Sequence, residues 1–210
     1  MYIPHAFEET RVDVMHDLMR RHPFATLVTC TQDGPGANHL PLLVESGPAP
    51  YGTLRGHVAK ANPLWREGAG EQPVLAIFQG PQTYVSPSWY PSKREHGKVV
   101  PTWNYAVVHA RGTLAVVDEP QALRAHVQAL TTRHESGRRD PWQLSDAPEP
   151  FIEKLLGGIR GLVIQISQLE GKWKMSQNRD AVDRRGVVAA LQLDGSASAL
   201  AVAEQIQSRS

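Results

Sequence analysis

The sequence predicts an α+β fold that is mainly β, with helices appended at both ends of an antiparallel barrel or sandwich. Runs of apolar and β-branched residues fill the middle of the 210-residue chain, and Gly, Pro and Asp turns separate them. Helical periodicity is concentrated towards the two ends. Most strands follow one another through short turns, which favours antiparallel pairing over a doubly wound parallel sheet.

The first half of the chain begins with a predicted helix over 10–22. Val14 and Leu18 fit a helical period, Thr10 can cap the helix, and Pro23 ends it. A hairpin turn is predicted at 32–36 and a short helix at 61–68, with Asn62 as its cap. The predicted strands of this half are 24–30, 38–45, 51–59 and 74–80.

The second half begins with a predicted strand over 104–118, followed by the clearest helix, 119–135, with Asp118 as its cap. A short helix at 150–156, a strand at 162–176 and two helical pieces in the tail, 178–208, complete the prediction. We expect one domain over 1–210, with an N-terminal helix and this helical tail.

Composition excludes several classes of protein. The net charge of +1 gives no overall attraction to nucleic acid. A single cysteine, Cys30, forms neither an intrachain disulfide nor a cysteine zinc cage. No signal peptide and no membrane-length apolar run is visible, so we expect a cytoplasmic protein without membrane contact. Dinucleotide, P-loop and nucleophile-elbow motifs are absent, and we predict neither catalytic residues nor a metal site.

Three potential cations lie within six residues of TLRGHVAKANP. Arg55 and His57 share one strand face because side chains alternate, and Lys60 follows them. Asn62 opens the next helical turn, whose amides are donors for an anion. The pattern indicates a phosphate site, because Arg and Lys form strong charge-assisted bonds to phosphate. Ordinary solvated charges on an edge strand are the alternative interpretation.

Aromatic residues are concentrated in the proline-broken stretch YVSPSWYPSKREHGKVVPTWNY. Tyr84 and Trp103 offer faces for a flat ring. Gln79, Ser88 and Asn104 offer polar groups for the edge of a heterocycle. The basic segment 92–98 between the aromatic halves is hypothesised to be a mobile flap. The alternative is an aromatic core cluster with an exposed loop.

A third feature is EGKWKMSQN at 170–178, in which Trp173 lies between two lysines and Gln177 follows. Two cations beside an aromatic ring can meet a ligand or a partner chain. Lysines also protect exposed strand edges against aggregation, which is the alternative.

Together these segments resemble the PaiB family of FMN-binding negative transcriptional regulators. The resemblance extends over nearly the whole chain, and the segments that carry it are HLPLL (39–43), LRGHVAKANP (54–63), FQGPQTYVSPSWY (78–90), VPTWNY (100–105) and KMSQN (174–178). It implies an FMN-binding split β-barrel related to pyridoxamine-phosphate oxidases and flavin reductases, with FMN at a homodimer interface. It also implies FMN-phosphate contacts from Arg55, His57, Lys60 and Asn62, and ring contacts from Gln79, Tyr84, Ser88, Trp103, Asn104 and Gln177.

The resemblance implies negative regulation of transcription, and direct DNA contact stays open because the tail, 178–208, contains no clear recognition helix. An FMN-dependent oxidoreductase acting on a small molecule, similar to flavin reductases or pyridoxamine-phosphate oxidases, is the main alternative. A flavin- or haem-handling module without catalysis is another. Whether the protein is an enzyme is left open, because fold does not imply function.

Overall fold

The computed structural model describes residues 1–31, 34–47, 50–67 and 72–209. The strands are β1 Glu8–Glu9, β2 Phe24–Thr31, β3 Gly34–Pro41, β4 Leu43–Glu45, β5 Thr53–Ala59, β6 Gln72–Val85, β7 Thr102–Val117 and β8 Ile159–Lys174. The α-helices are α1 Val12–Arg21, α2 Leu64–Glu67, α3 Lys93–His96, α4 Pro120–Glu135, α5 Glu149–Leu156, α6 Ala181–Asp194 and α7 Ala197–Gln207. Short 3₁₀ helices lie at His5–Phe7, Pro87–Trp89 and Leu144–Asp146.

The strands form a sheet in the order β3-β2-β6-β7-β8-β5-β4, and β1 pairs with β8. The pairings β1–β8, β2–β3, β2–β6, β4–β5 and β5–β8 are all antiparallel. In the β5–β8 pair, Arg55 lies opposite Val163 and His57 opposite Gly161. The predicted mainly antiparallel α+β class is therefore confirmed.

The chain divides into two compact units. Unit one comprises Met1–His22, Phe78–His109 and the chain from Glu170 onward, and unit two comprises Pro23–Ile77 and Ala110–Leu169. The core of unit one is rich in residues of helices α1, α6 and α7. The core of unit two is rich in residues at alternate positions along its strands. Buried side chains of unit one include Leu18, Met19, Phe78, Val187, Leu191 and Val202, and those of unit two include Leu27, Leu54, Leu114, Leu162 and Ile164.

The first helix lies where the sequence predicts it, but its capping differs. Arg11 occupies the N-cap position without a side-chain cap, so the prediction that Thr10 caps the helix is wrong. The preceding Glu9 instead accepts hydrogen bonds from the backbone N–H and the guanidinium of Arg11. This contact holds the chain at the start of α1.

The start of α4 also differs from the prediction. Glu119, not Asp118, is the N-cap, and its carboxylate accepts from the N–H groups of Gln121 and Ala122. Asp118 forms an ion pair with Arg160, whose Nε lies 2.8 Å from Oδ1. A carboxylate one residue along the chain therefore caps the helix, while the predicted cap binds a distant strand.

Two further local predictions involve residues outside the described ranges. Of the predicted hairpin turn at 32–36, positions 32 and 33 are outside those ranges, and Gly34 onward belongs to β3. Of the predicted helix 61–68, position 68 is outside the described ranges. Asn62 acts at its start as expected, because its Oδ1 accepts from the N–H of Leu64 at 2.9 Å.

Among the helices of the described ranges, none is both long and apolar enough to cross a membrane. In the same part of the chain, no group of three or more His, Cys, Asp or Glu side chains is placed to hold a metal ion.

Candidate functional site

The strand β5 presents Arg55 and His57 on one face, as the alternation of side chains predicts. The intervening Leu54, Gly56 and Val58 are buried on the other face. The half-buried Arg55 forms an ion pair with Glu45, with Nε 2.8 Å from Oε1. Its positive charge is therefore already partly balanced by a neighbouring strand.

The second residue of that face, His57, is paired with a histidine of α4. Its Nδ1 lies 3.0 Å from Nε2 of His126, and the two rings meet edge to face at 71°. Burial lowers the pKa of His57. Burial, followed by the charges of His57 and Arg55, lowers the pKa of His126 to about 4. Both imidazoles are consequently neutral at pH 7, and His57 is a hydrogen-bonding group there rather than a cation.

Lys60 and Asn62 lie just beyond the end of β5 in two different surroundings. The backbone of Lys60 is held at both ends, since its N–H donates to Gly158 and its carbonyl accepts from the indole N–H of Trp65, each at 2.8 Å. Its exposed side chain lines a cavity of unit two. Asn62 donates from Nδ2 to Oδ1 of Asn38 at 2.8 Å and lines a separate concavity beside β3.

The cavity beside Lys60 has a volume of about 480 Å³ and lies between the start of α4, α5 and the start of β8. Its walls combine charged groups with apolar ones. They include Lys60, Asp118, Pro120, Leu123, Arg124, Glu153, Leu156 and Arg160. Sequence reasoning missed Arg160, because its neighbours in space come from segments about 40 and 100 residues earlier and no local pattern marks it.

The four predicted phosphate residues therefore do not form one open cationic cluster. Arg55 is bound to Glu45, His57 is neutral against His126, and Asn62 is bound to Asn38. Within the described ranges, no carboxylate lies within ion-pair distance of Lys60.

In unit one the structure brings two of the predicted aromatic residues together. Tyr84 on β6 and Trp103 on β7 meet edge to face, with ring centroids 6.2 Å apart. Their exposed fractions are 46% and 47%, so both residues are partly open to solvent. The indole N–H of Trp103 donates to Oε1 of Gln82 at 3.2 Å, which fixes its orientation, and Gln79 is exposed on the same strand, β6.

The other predicted ring contacts have internal partners. Asn104 is only 1% exposed and donates to Oγ of Ser176 at 2.9 Å. Gln177 folds back on its own strand end, accepting from the N–H of Met175 and donating to the carbonyl of Trp173, both at 2.6 Å. These contacts shape the main chain around Ser176, a non-glycine residue at φ 60°.

The stretch 87–98, which contains Ser88 and the hypothesised flap 92–98, is anchored through Ser92. Ser92 is buried and donates to Asp183 of α6 from both Oγ, at 2.6 Å, and its backbone N–H, at 3.1 Å. The segment then forms α3, which ends at Gly97 in the left-handed region. Ser88 accepts from Nζ of Lys93 at 3.1 Å.

One aromatic residue of this stretch belongs to the core. Tyr90 is buried, and the guanidinium of Arg179 lies 4.8 Å from its ring centroid. Tyr90 therefore supports the packing of the stretch on the tail and presents no open face for a ligand ring.

Comparison with known proteins adds the family context. A family model described as "Putative FMN-binding domain" matches residues 1–168. The chain is 33% identical over 209 residues to the Bacillus subtilis "Protease synthase and sporulation protein PAI 2", covering 100% of this chain and 98% of that protein. It is 32% identical to an uncharacterized protein of Aspergillus fumigatus, covering 100% of this chain and 97% of that one.

Solved structures show the same fold at low sequence identity. The FAD and heme binding protein from Mycobacterium smegmatis matches with a TM-score of 0.60 and 19% identity, covering 80% of this chain and 73% of its own. The flavocytochrome Anf3 from Azotobacter vinelandii matches with a TM-score of 0.59 and 11% identity, covering 80% and 70%. At these identities the likeness concerns the fold alone, and it confirms the predicted split barrel.

Proposed function

Because the chain belongs to the PaiB family of FMN-binding proteins, we propose that it is an FMN-dependent negative regulator of transcription that acts as a homodimer. The observation that carries the proposal is the full-length likeness to a relative whose name refers to protease synthesis and sporulation. That likeness extends through the tail beyond residue 168, where the family model ends. When bound, FMN supplies a ring that accepts one or two electrons.

The ring of FMN is proposed to contact Tyr84 and Trp103 of unit one. Their half-exposed, edge-to-face arrangement offers an aromatic surface for a flat heterocycle. The exposed amide of Gln79 is retained as a hydrogen-bonding group for the ring edge. Asn104, Ser88 and Gln177 are proposed to support the site indirectly, because each already has a partner within unit one.

The phosphate of FMN is proposed to contact Lys60. Its ammonium is exposed and, unlike the guanidinium of Arg55, has no ion-pair partner in the described ranges. Arg55 is proposed as a weaker contributor, since Glu45 already balances its charge. His57 and Asn62 are proposed as neutral hydrogen-bonding neighbours of the phosphate.

An exposed apolar pair supports the homodimer. Phe151 and Leu155 are four residues apart on α5, so they share one face of that helix, and each is 53% exposed. A second copy of the chain is a common way to cover such a surface, because twofold pairing is the most frequent form of assembly.

For DNA contact, the tail offers two neighbouring arginines. Arg184 and Arg185 lie near the start of α6, and Gly195 at φ 70° turns the chain into α7. α7 contains neither Lys nor Arg, so a conventional recognition helix is not supported there. Regulation through a bound partner protein is compatible with the same proposal.

The experiment that tests the proposal compares transcripts of the source organism with and without this gene, together with chromatin immunoprecipitation of the protein. Repression is supported if transcripts that rise on deletion come from promoters enriched with the protein. Absence of both effects, with FMN bound at one equivalent per chain, contradicts the regulatory function and leaves cofactor binding intact.

An FMN-dependent oxidoreductase is the second candidate. The exposure of Tyr84 and Trp103 favours it, since a nicotinamide or another flat substrate needs access to a flavin bound there. Anaerobic stopped-flow mixing of the FMN-loaded protein with NADH and NADPH tests it. Flavin bleaching within seconds supports an enzyme, and no bleaching over minutes argues against a nicotinamide-dependent reductase.

A further inference from the structure

Two neighbouring arginines of α6 have no carboxylate partner. Arg184 and Arg185 form no ion pair within the described ranges, and the buried Nε of Arg184 has no hydrogen-bond partner there. Elsewhere in the chain carboxylates commonly neutralise arginines. The arginines bound in this way are Arg11, Arg21, Arg55, Arg124, Arg138, Arg160 and Arg209. The two guanidinium groups of α6 therefore keep their charge available for a ligand.

Both arginines line a cavity of about 210 Å³ between α6 and α7 in unit one. Gln192 and Gln207 add side-chain amides to its walls, and the rest of the lining is apolar. Among the described residues that line this space there is no carboxylate. The cavity therefore has two positive charges and no negative one on its walls, which favours an anion.

The size of the cavity limits how much of a ligand can enter it. Its volume of about 210 Å³ is below the range of about 300–1,000 Å³ that is typical of small-molecule sites. Guanidinium forks match the oxygens of a phosphate group, and amide N–H groups add further donors. The space consequently suits a phosphate group whose parent molecule lies outside the cavity.

A second basic segment is joined to the start of α6. Ser92 donates to Asp183, the residue before Arg184, from both its Oγ and its backbone N–H. The segment 93–98 that follows Ser92 contains three exposed lysine or arginine side chains and one carboxylate. Positive charge is therefore gathered on two segments that buried hydrogen bonds connect, although the whole chain has a net charge of only +1. Such a local concentration of charge suits a polyanion.

We propose that the cavity between α6 and α7, together with the segment 93–98, binds the phosphate backbone of double-stranded DNA. Arg184 and Arg185 contact one backbone phosphate in the cavity, and the segment 93–98 adds attraction for other phosphates of the duplex. Contacts of this kind position a protein on DNA without reading its sequence, which agrees with the lack of Lys and Arg on α7. The inference rests on the proposed regulatory function, which selects DNA among polyanions.

Fluorescence anisotropy of the FMN-loaded protein with a fluorescein-labelled DNA duplex tests the proposal. The double variant Arg184→Gln/Arg185→Gln is expected to bind at least about tenfold more weakly than wild type, since it loses two charge-assisted contacts. Over about 50–200 mM salt, the slope of log K against log salt should become shallower by about 1–2, because each phosphate contact contributes about 0.9. Two duplexes of unrelated sequence should be weakened alike.

The matched control is Arg138→Gln/Arg139→Gln, which removes the same charge from two neighbouring exposed arginines of unit two. It is expected to keep the affinity and the salt slope of wild type. Gln192→Glu, a change of nearly equal volume, adds a carboxylate to the cavity wall and should also weaken DNA binding. The proposal is overturned if wild type does not bind DNA, if the control loses as much affinity, or if Arg184→Gln/Arg185→Gln binds normally.

Two further probes distinguish other sources of phosphate. Inorganic phosphate is titrated by calorimetry, and vesicles of phosphatidylserine and phosphatidylcholine are tested by co-sedimentation. If wild type binds either probe but not DNA, and Arg184→Gln/Arg185→Gln abolishes that binding, the surface belongs to a free anion or a membrane and the DNA proposal is wrong.

Failure of this inference is distinguishable from failure of the proposed function. The substituted residues are outside the set proposed for FMN, so FMN absorbance and the circular dichroism spectrum are expected to be retained in the variants. Promoter enrichment in the cell without DNA binding by the purified protein would overturn this inference and leave repression through a partner protein. DNA binding that the arginines control, without any change in transcripts, would support this inference and contradict the regulatory function.

Discussion

Nδ1 of His57 lies 3.0 Å from Nε2 of His126, and this contact joins strand β5 to helix α4 across 69 residues of sequence. One ring must donate the shared hydrogen and the other must accept it. Protonation of both rings would place two donors and two positive charges against each other. The pair therefore ties the packing of α4 on β5 to the neutral form of both histidines.

The first prediction concerns the pH dependence of stability. The pKa of His126 is about 4 in the folded chain and 6.5 in its ordinary state. Above pH 6.5 the pair contributes its full stabilisation to the folded chain. As the pH falls towards 4, His126 binds a proton in the unfolded chain but stays neutral in the folded chain. We expect the free energy of unfolding to fall by about 1–2 kcal/mol between pH 7 and 5 through this residue.

Urea denaturation at the two pH values measures this dependence. His126→Gln, which keeps a hydrogen-bonding group without titrating, should reduce it, whereas His134→Gln on the exposed end of α4 should not. An identical pH dependence in wild type and His126→Gln would show that His126 does not cause the pH dependence of stability.

The second prediction concerns Glu9, which is buried and bound by Arg11 and Arg209. Burial alone would raise its pKa, but the hydrogen bonds from Arg11 and Arg209 outweigh it and lower the pKa to about 2. This contribution is complete above about pH 4.5 and is lost as the pH falls through 2. Glu9→Gln is expected to lose about 2–4 kcal/mol of stability at pH 7, because two cations lose their counter-charge. Chemical denaturation checks it, with the exposed Glu8→Gln as control.

The third prediction concerns the aromatic pair Tyr84 and Trp103. Trp103→Ala should weaken FMN and riboflavin equally, by about 3–10-fold, because both ligands share the ring and an aromatic contact contributes about 0.5–1.5 kcal/mol. Flavin fluorescence titration measures both affinities. Trp142→Ala, a similarly exposed tryptophan of unit two at 44%, is the matched control. Retained affinity in Trp103→Ala would exclude the pair from the ring site.

The fourth prediction separates the phosphate from the ring. Lys60→Met should weaken FMN by about 10–100-fold and leave riboflavin unchanged, because riboflavin lacks the phosphate and a charge-assisted bond contributes about 1.5–3 kcal/mol. Arg55→Met should have a smaller effect, since Glu45 already balances Arg55. If Lys60→Met weakens neither flavin, the phosphate lies elsewhere.

The fifth prediction concerns the anchor of the 92–98 segment. Asp183 is buried and accepts both hydrogen bonds of Ser92. Asp183→Ala should reduce stability by about 2 kcal/mol and speed hydrogen exchange at the amides of 92–97, because buried donors lose their partner. Mass spectrometry after deuterium labelling measures the exchange. The exposed change Gln192→Ala on the same helix should leave it unaltered, and slow exchange in Asp183→Ala would show that other contacts hold the segment.

Local patterns in the sequence predicted the elements well. The alternation along β5 placed Arg55 and His57 on one face because strand geometry depends only on neighbouring residues. The predicted cap of α4 was wrong by one residue. Asp118 and Glu119 are chemically similar caps, and Asp118 instead pairs with Arg160, far along the chain. Local propensity contains no information about such a partner.

The candidate site was harder to predict for the same reason. The sequence singled out Lys60 and Trp103 by residue type, and their contact with the cofactor stays a prediction. It grouped Arg55 with Lys60 as free cations, whereas the structure binds Arg55 to Glu45 on a neighbouring strand. Tyr90 shows the same limit, because only tertiary packing decides whether an aromatic ring of the stretch is open or buried.

A Cβ atom at position 186 on α6 would lie 2.3 Å from the carbonyl oxygen of Trp89 and 2.8 Å from the ring of Pro91. A main-chain oxygen cannot be replaced, so no compensating side-chain change makes room there. During evolutionary divergence α6 can therefore vary at its exposed positions, whereas Gly186 can change only together with the backbone path of 87–91. A homologue with a larger residue at this position should have a rebuilt connection between β6 and β7.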